Sequence, residues 1–267
     1  MRSMSLSALI FSLLAVLFTG PAAAQALKPT VTAIEAAEGT FRATLSDGTT
    51  RQGTELVGMV LTYSDGDSTI RIRLKGVRPD PRDTSGKLQL NDLRYADTDN
   101  PYCSPSADGV REGYAVAGRA DADGTIHPAE PGEFVLTCTS GAQGKCLRFG
   151  YRPWEIGPDG VSKADRYNAC IHMVRADYCG DGTPTTRDGT IIDMFDDAGI
   201  QVADRNPGFS FEAAWTPKGA ACVAHVRIRE NISLEDLART CPRLTGKLGP
   251  EACSEGAVSA EVYNLSK

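Results

Sequence analysis

The sequence predicts an α+β protein, mostly antiparallel β, with one central amphipathic helix and disulfides stapling its loops. Three observations carry that expectation. Alternating apolar and polar runs, separated by Gly-containing turns, fill residues 31–77. One stretch, about Ser162 to Cys179, repeats its apolar residues at helical spacing. Eight cysteines all fall beyond residue 102: Cys103, Cys138, Cys146, Cys170, Cys179, Cys222, Cys241 and Cys253.

The chain opens with a targeting signal. Arg2 supplies positive charge, Leu6 to Phe18 is almost purely apolar, and Ala22-Ala23-Ala24 fits a small-residue cleavage site. Residues 1–24 therefore read as a signal peptide. No later stretch approaches the roughly 20 apolar residues of a membrane span, so no transmembrane span is expected in the mature chain. The 243 residues left (267 less 24) suffice for one large domain or two small ones. Composition divides them into a β-rich region, 25–85, and a disulfide-rich α+β region, 86–267. Without Arg2, 27 basic residues face 34 acidic ones, a net charge of −7. No Lys/Arg run offsets it locally, which argues against a nucleic-acid partner. Export implies a periplasmic or extracellular location, where an even number of cysteines pairs as disulfides. Which cysteine pairs with which is open. No C-x2-C pair or Cys/His cluster suggests zinc, and no metal ligand is assigned.

Strands are expected at Thr30–Ile34, Thr40–Leu45, Glu55–Tyr63 and Thr69–Leu74, with turns at Ser46-Asp47-Gly48 and Asp65-Gly66. Strict alternation in the last strand places Arg71 and Arg73 toward water. Residues 78–86, with Pro79 and Pro81, read as a linker or long loop. Leu88–Tyr95, Tyr114–Ala117 and Glu133–Thr137 follow as short strands. Ser162 is the expected N-cap of the central helix, with Asp165 three residues on. Tyr167, Ile171, Val174 and Tyr178 form its buried stripe, Ala164 and Cys170 flank them, and Gly180 stands as the C′ glycine. His172 falls off that stripe and is expected near solvent. Thr190–Phe195 and Cys222–Arg229 read as strands, and Leu234–Thr240 as a helix capped by Ser233. The tail after Gly246 shows little pattern.

Several blocks carry a family resemblance. They are Gly144-Lys145-Cys146 with Gly150-Tyr151-Arg152-Pro153-Trp154, then Met173-Val174-Arg175-Ala176-Asp177-Tyr178-Cys179-Gly180-Asp181-Gly182. Thr186 to Asp193, Glu212-Ala213-Ala214-Trp215 and Gly219 to Cys222 continue the series. Over about residues 53–241 the chain resembles the ADYC domain family, named for the tetrapeptide Ala176–Cys179. The resemblance implies a secreted bacterial protein and carries over no catalytic residue.

Cys179 beside a helix C-terminus is a poor thiolate, because the dipole there is negative, so a disulfide is expected. Asp177 in the last helical turn opposes the same dipole. It then caps nearby N–H groups or pairs with Arg148, Arg152 or Arg187, or else serves a function. Asp181, Asp188, Asp193, Asp196 and Asp197 form a Gly-rich acidic cluster, read mainly as solvated turns. Calcium is the one cation such turns suggest, although Asp121-Ala122-Asp123-Gly124 has Gly132 where an EF-hand needs Glu. No other cofactor is expected. Asp177, Asp181, Asp188, Asp193 and Trp154 are the candidate binding residues. No H-E-x-x-H, G-x-S-x-G or phosphate loop occurs, and no catalytic residue is assigned. The function expected is a non-enzymatic envelope or extracellular binding or interaction module for a protein or glycan ligand. The alternatives are a secreted hydrolase using carboxylates near the turn after Cys179, and a purely structural envelope protein.

Overall fold

The structure is a computed structural model that describes residues 29–65, 68–128 and 130–267. The expected signal peptide and the glycine of the Asp65-Gly66 turn lie outside the described residues. All pairings between the named strands are antiparallel.

Strands β1 (Val31–Ala37), β2 (Thr40–Leu45) and β3 (Thr50–Gln52) form a meander. Asp47 accepts the Thr49 N–H at 3.0 Å and closes the expected turn. A 3-10 turn at Gly53–Leu56 replaces the first half of the strand expected from Glu55. Gly58, at φ 97°, breaks the extended path, so β4 runs only over Val60–Asp65. β5 (Ser68–Pro79) is longer than the alternation suggested, with Ile72 and Leu74 buried, Arg71 exposed and Arg73 half-buried.

β6 (Gln89–Tyr95) and β7 (Gly113–Ala117) continue the chain. β8 (Arg119–Ala120) and β9 (Ile126–His127) form a small ribbon, and β10 (Phe134–Cys138) follows. The sheet order β10-β7-β6-β5-β4 takes strands from both sides of residue 85. Phe41, Ala43, Ile72, Leu74 and Leu93 pack between this sheet and the meander.

A helix that periodicity missed, α1 (Ala142–Arg148), lies beyond. It is only two turns long and holds a glycine. A Cβ on Gly144 would stand 2.2 Å from the Cys138 carbonyl, so this approach admits no other residue. The central helix, α2, spans Ala164–Arg175, shorter than expected at both ends. Lys163, not Ser162, takes the N-cap position. Tyr167 through Met173 are all buried, because α1, the second sheet and the β8–β9 ribbon enclose the helix. The expectation that His172 faces solvent is therefore wrong: it is 0% exposed.

The second sheet has the order β11-β14-β12-β13. Its members are β11 (Asp193–Phe195), β12 (Ser210–Thr216), β13 (Gly219–Val223) and β14 (Val262–Ser266). The tail that showed little pattern thus supplies an interior strand, buried at all five positions. The strand expected at Thr190–Phe195 shrinks to β11, and that expected at Cys222–Arg229 is largely wrong: β13 shares only Cys222 and Val223 with it, and residues 224–229 form no strand. Helix α3 (Leu234–Thr240) forms as expected, with Ser233 and Asp236 capping each other.

All eight cysteines pair, as Cys103–Cys138, Cys146–Cys170, Cys179–Cys241 and Cys222–Cys253. The second bridge joins α1 to α2, and the third ties the chain after α2 to the end of α3. No helix among the described residues is long and apolar enough to cross a membrane.

Candidate functional site

Helix α2 stops because Ala176 enters the left-handed region at φ 50°. Glycine usually takes such a cap, and alanine persists here only where surrounding structure holds it. The expected C′ glycine, Gly180, lies four residues too late. What holds Ala176 is the next side chain. Asp177 accepts the N–H groups of Gly180 at 2.9 Å, Asp181 at 3.2 Å and Gly182 at 2.9 Å. Its second oxygen also meets His172 Nδ1 at 2.9 Å. Asp177 thus lies beyond the helix and does not oppose the dipole. It caps a turn, and it pairs with none of the three arginines considered for it. Arg148 holds Asp80 and Asp108, Arg152 holds Asp83 and Glu155, and Arg187 holds Glu230.

Tyr178 is drawn away from the helix stripe into a buried network. Its hydroxyl donates to Glu212 at 2.9 Å and accepts the Arg227 N–H at 2.8 Å. Its ring stacks on Trp215 at 5.2 Å. Arg227 grips Glu212 with two bonds, of 3.0 and 2.9 Å, and donates to the Met173 carbonyl at the end of α2. Asn264 of β14 joins Glu212 to the Trp215 indole. Burial raises the Glu212 pKa, but the charge and hydrogen bonds of Arg227 outweigh it and hold the carboxyl below its ordinary range. Burial, with Glu212 alongside, pushes the Tyr178 phenol well above its ordinary value. Cys179 is engaged with Cys241, and Arg243 donates to the carbonyls of Tyr178, Cys179 and Ala220. Arg175, the last residue of α2, donates to the carbonyls of Asp123 and Gly182.

The tetrapeptide is therefore a clasp whose four residues terminate a helix, cap a turn, anchor a network and form a staple. A family model described as the ADYC domain matches residues 53–229. The chain belongs to the ADYC domain family. No curated protein and no solved structure matches it.

The ADYC domain does not gather the candidate carboxylates into one site. Asp177 is buried and saturated. Asp181 is exposed and bonded to the Thr183 N–H at 2.9 Å. Asp188 is exposed on another loop, beside a separate cavity. Asp193 is buried in β11, where it accepts the Asp204 N–H at 2.9 Å, and Asp196 likewise receives Tyr151 and three backbone N–H groups. These two are turn-forming interior groups and not the solvated carboxylates expected. Among the described residues, no three His, Cys, Asp or Glu side chains are placed to hold a metal ion.

Trp154 stands apart from that pattern. It is partly buried, with its ring edge against Gly39, whose Cβ would lie 3.7 Å from the indole. It lines a cavity of about 290 Å³ together with Glu38, Lys87, Leu88, Arg152 and Glu155. It also lines a second cavity, of about 400 Å³, that includes Glu35, His127, Glu130 and Glu133. The loop from Asp80 to Leu88 builds the first wall. Asp83 shapes it by accepting the N–H groups of Ser85, Lys87 and Leu88. Burial pushes the Asp83 pKa up, yet these bonds and the Arg152 charge leave it below the ordinary value. Glu155 is half-buried; burial pushes its pKa up, yet the bonds and charges of Lys163 and Arg152 hold it below its ordinary range. Arg152 is 4% exposed and its Nε has no partner among the described residues.

One further residue escaped the sequence. Glu261 lines a cavity with Asp165 and Asp197, and its buried Oε2 has no partner among the described residues. Burial, with Asp165 nearby, raises its pKa. Only strand β14 brings the tail to this position, so no local signal marked it.

Proposed function

We propose that this protein is an exported, non-catalytic binding module whose ligand seats against Trp154. The observation that carries this reading is the groove itself. An aromatic side chain lines two cavities there, beside a buried guanidinium whose Nε has no partner among the described residues. Buried donors are normally satisfied, and an exception calls for an explanation. A ligand acceptor provides one. Saturation of the ADYC turn supports the non-catalytic half of the proposal, since Asp177 and Cys179 have no chemistry left to offer. Four disulfides suit an oxidising compartment outside the cytoplasm.

Carboxylate chemistry has one observation in its favour, Glu261 in its own cavity, whose Oε2 has no partner among the described residues. A raised carboxyl in a cleft is the profile of a general acid. It lies away from the turn that the sequence suggested for a hydrolase.

The test uses the full mature chain and its Trp154→Phe variant. Both are titrated with polysaccharide, peptide and lipid fractions, read by tryptophan emission and melting temperature. The chain has two tryptophans, and Trp215 is fully buried, so a ligand-induced change in emission is assigned to Trp154, and the variant, which lacks that reporter, is judged by melting temperature. A saturable change in the parent and none in the variant is the expected result. No response to any fraction sinks the reading. Hydrolytic turnover that Glu261→Gln removes at unchanged melting temperature favours the enzyme instead.

A further inference from the structure

The geometry points to a neutral saccharide as the ligand of the Trp154 groove, with one pyranose unit in each of the two cavities that Trp154 lines. This inference rests on the binding module proposed above and adds the chemical class. A pyranose presents an apolar C–H face and a rim of hydroxyls that both donate and accept. Its site must supply an aromatic or apolar wall together with donors and acceptors around it.

The cavity of about 290 Å³ meets each requirement. Trp154 and Leu88 give the apolar wall. Arg152 lines the cavity with a buried guanidinium whose Nε has no partner among the described residues, and Lys87, whose ammonium lies 3.6 Å from Glu155, adds an exposed donor. Glu38 and Glu155 are acceptors. Two cationic and two anionic side chains balance, so the cavity carries no net charge to recruit an ion. A phosphate or carboxylate ligand would face both glutamates, and a cation would face Arg152 and Lys87. A neutral polyhydroxylated ring meets opposite signs at its edge and needs no net charge. The size lies near the lower end of small-molecule sites, roughly 300–1,000 Å³, which suits a single sugar ring.

The second cavity explains why one ring is not the whole ligand. Trp154 lines both spaces, so a chain of linked rings can pass along the indole. There the polar groups are Glu35, Glu130, Glu133 and His127, a wall richer in acceptors than the first. Hydroxyls of a second ring donate to these carboxylates. Arg152 is held from behind by Asp83 and Glu155, so its donor is preorganised and its ordering cost falls outside the binding step.

The experiment titrates the mature protein with neutral trisaccharides of glucose, galactose, mannose and N-acetylglucosamine, following the heat of binding by isothermal titration calorimetry. At least one trisaccharide is expected to give a saturable heat of binding that Trp154→Phe abolishes. The matching monosaccharide should bind about tenfold or more weakly, since it fills one cavity only. Lys87→Met and Glu38→Gln alter exposed side chains and should keep the melting temperature, yet each should weaken binding about tenfold. The saccharide assignment is overturned if no trisaccharide gives a saturable heat of binding, or if that heat survives in Trp154→Phe. A response to peptides alone overturns it while leaving the binding module intact. Silence toward every fraction removes both.

Discussion

In the clasp after α2, Asp177 receives three backbone N–H groups and an imidazole, and Tyr178, Glu212, Arg227 and Asn264 satisfy one another in a closed circuit. In the groove at Trp154, Arg152 has two partners and an Nε with none among the described residues, and the carboxylate of Glu38 is exposed. The two regions draw on similar side chains, an aromatic ring, carboxylates and an arginine. They differ in closure. A closed polar circuit lowers the cost of burying charge and defines one conformation. An open one leaves that cost for a ligand to offset. The segment that names the family therefore belongs with the framework, and the proposed binding chemistry belongs with the loops around Trp154.

Three changes break or sharpen this contrast. The largest effect is expected from Arg227→Met, which strands the Glu212 carboxylate in the interior. Losing one partner of a buried pair costs about 3–5 kcal/mol, and denaturant unfolding measures it. A loss below about 1 kcal/mol would mean that the circuit is not closed in solution. Asp177→Asn comes next. The amide keeps one acceptor oxygen but turns its NH2 toward donors, so about 1–3 kcal/mol should go. Saccharide affinity should not move, because the clasp does not touch the groove; a parallel fall in affinity at constant fold would merge the two regions.

The smallest effect is expected from mild acid. Glu212 in the clasp and Asp83 and Glu155 beneath the groove all have folded-state pKa values below their ordinary range. The unfolded chain therefore takes up protons first as pH falls. The stability these groups contribute is complete above the ordinary carboxylate range and drains away as pH drops through the depressed values. Melting temperature should be nearly flat from about pH 7 to about pH 5 and then decline. A decline that begins well above that range would assign the acid response to other groups.

Much of the framework was legible because it rests on local physics. Alternation in Thr40–Leu45 and Thr69–Leu74 reports a half-buried strand whatever its neighbours are. Ser233 and Asp236 cap α3 through groups three residues apart. Trp154 and Asp177 stood out as well, the first as a candidate ligand contact and the second as a break with the helix dipole. The break proved to be a matter of boundary. Helix α2 ends a turn earlier than its apolar period suggests, because Asp177 and Tyr178 find better partners outside the helix than within it. His172 was misplaced for a related reason. Its angle on the helix was read against one buried face, whereas α2 is enclosed on several sides.

By itself the sequence determined that this chain is built of antiparallel strands around a central helix and that its sulfurs would be crosslinked. Those properties follow from side-chain period and from cysteine number, which are set along the chain. Only the tertiary structure decided which cysteines pair, that the tail threads the interior of a sheet, and that Asp177 is consumed while Arg152 Nε has no partner among the described residues. Each of these depends on groups tens of residues apart meeting in space, and the free energy of such meetings has no counterpart in any local stretch.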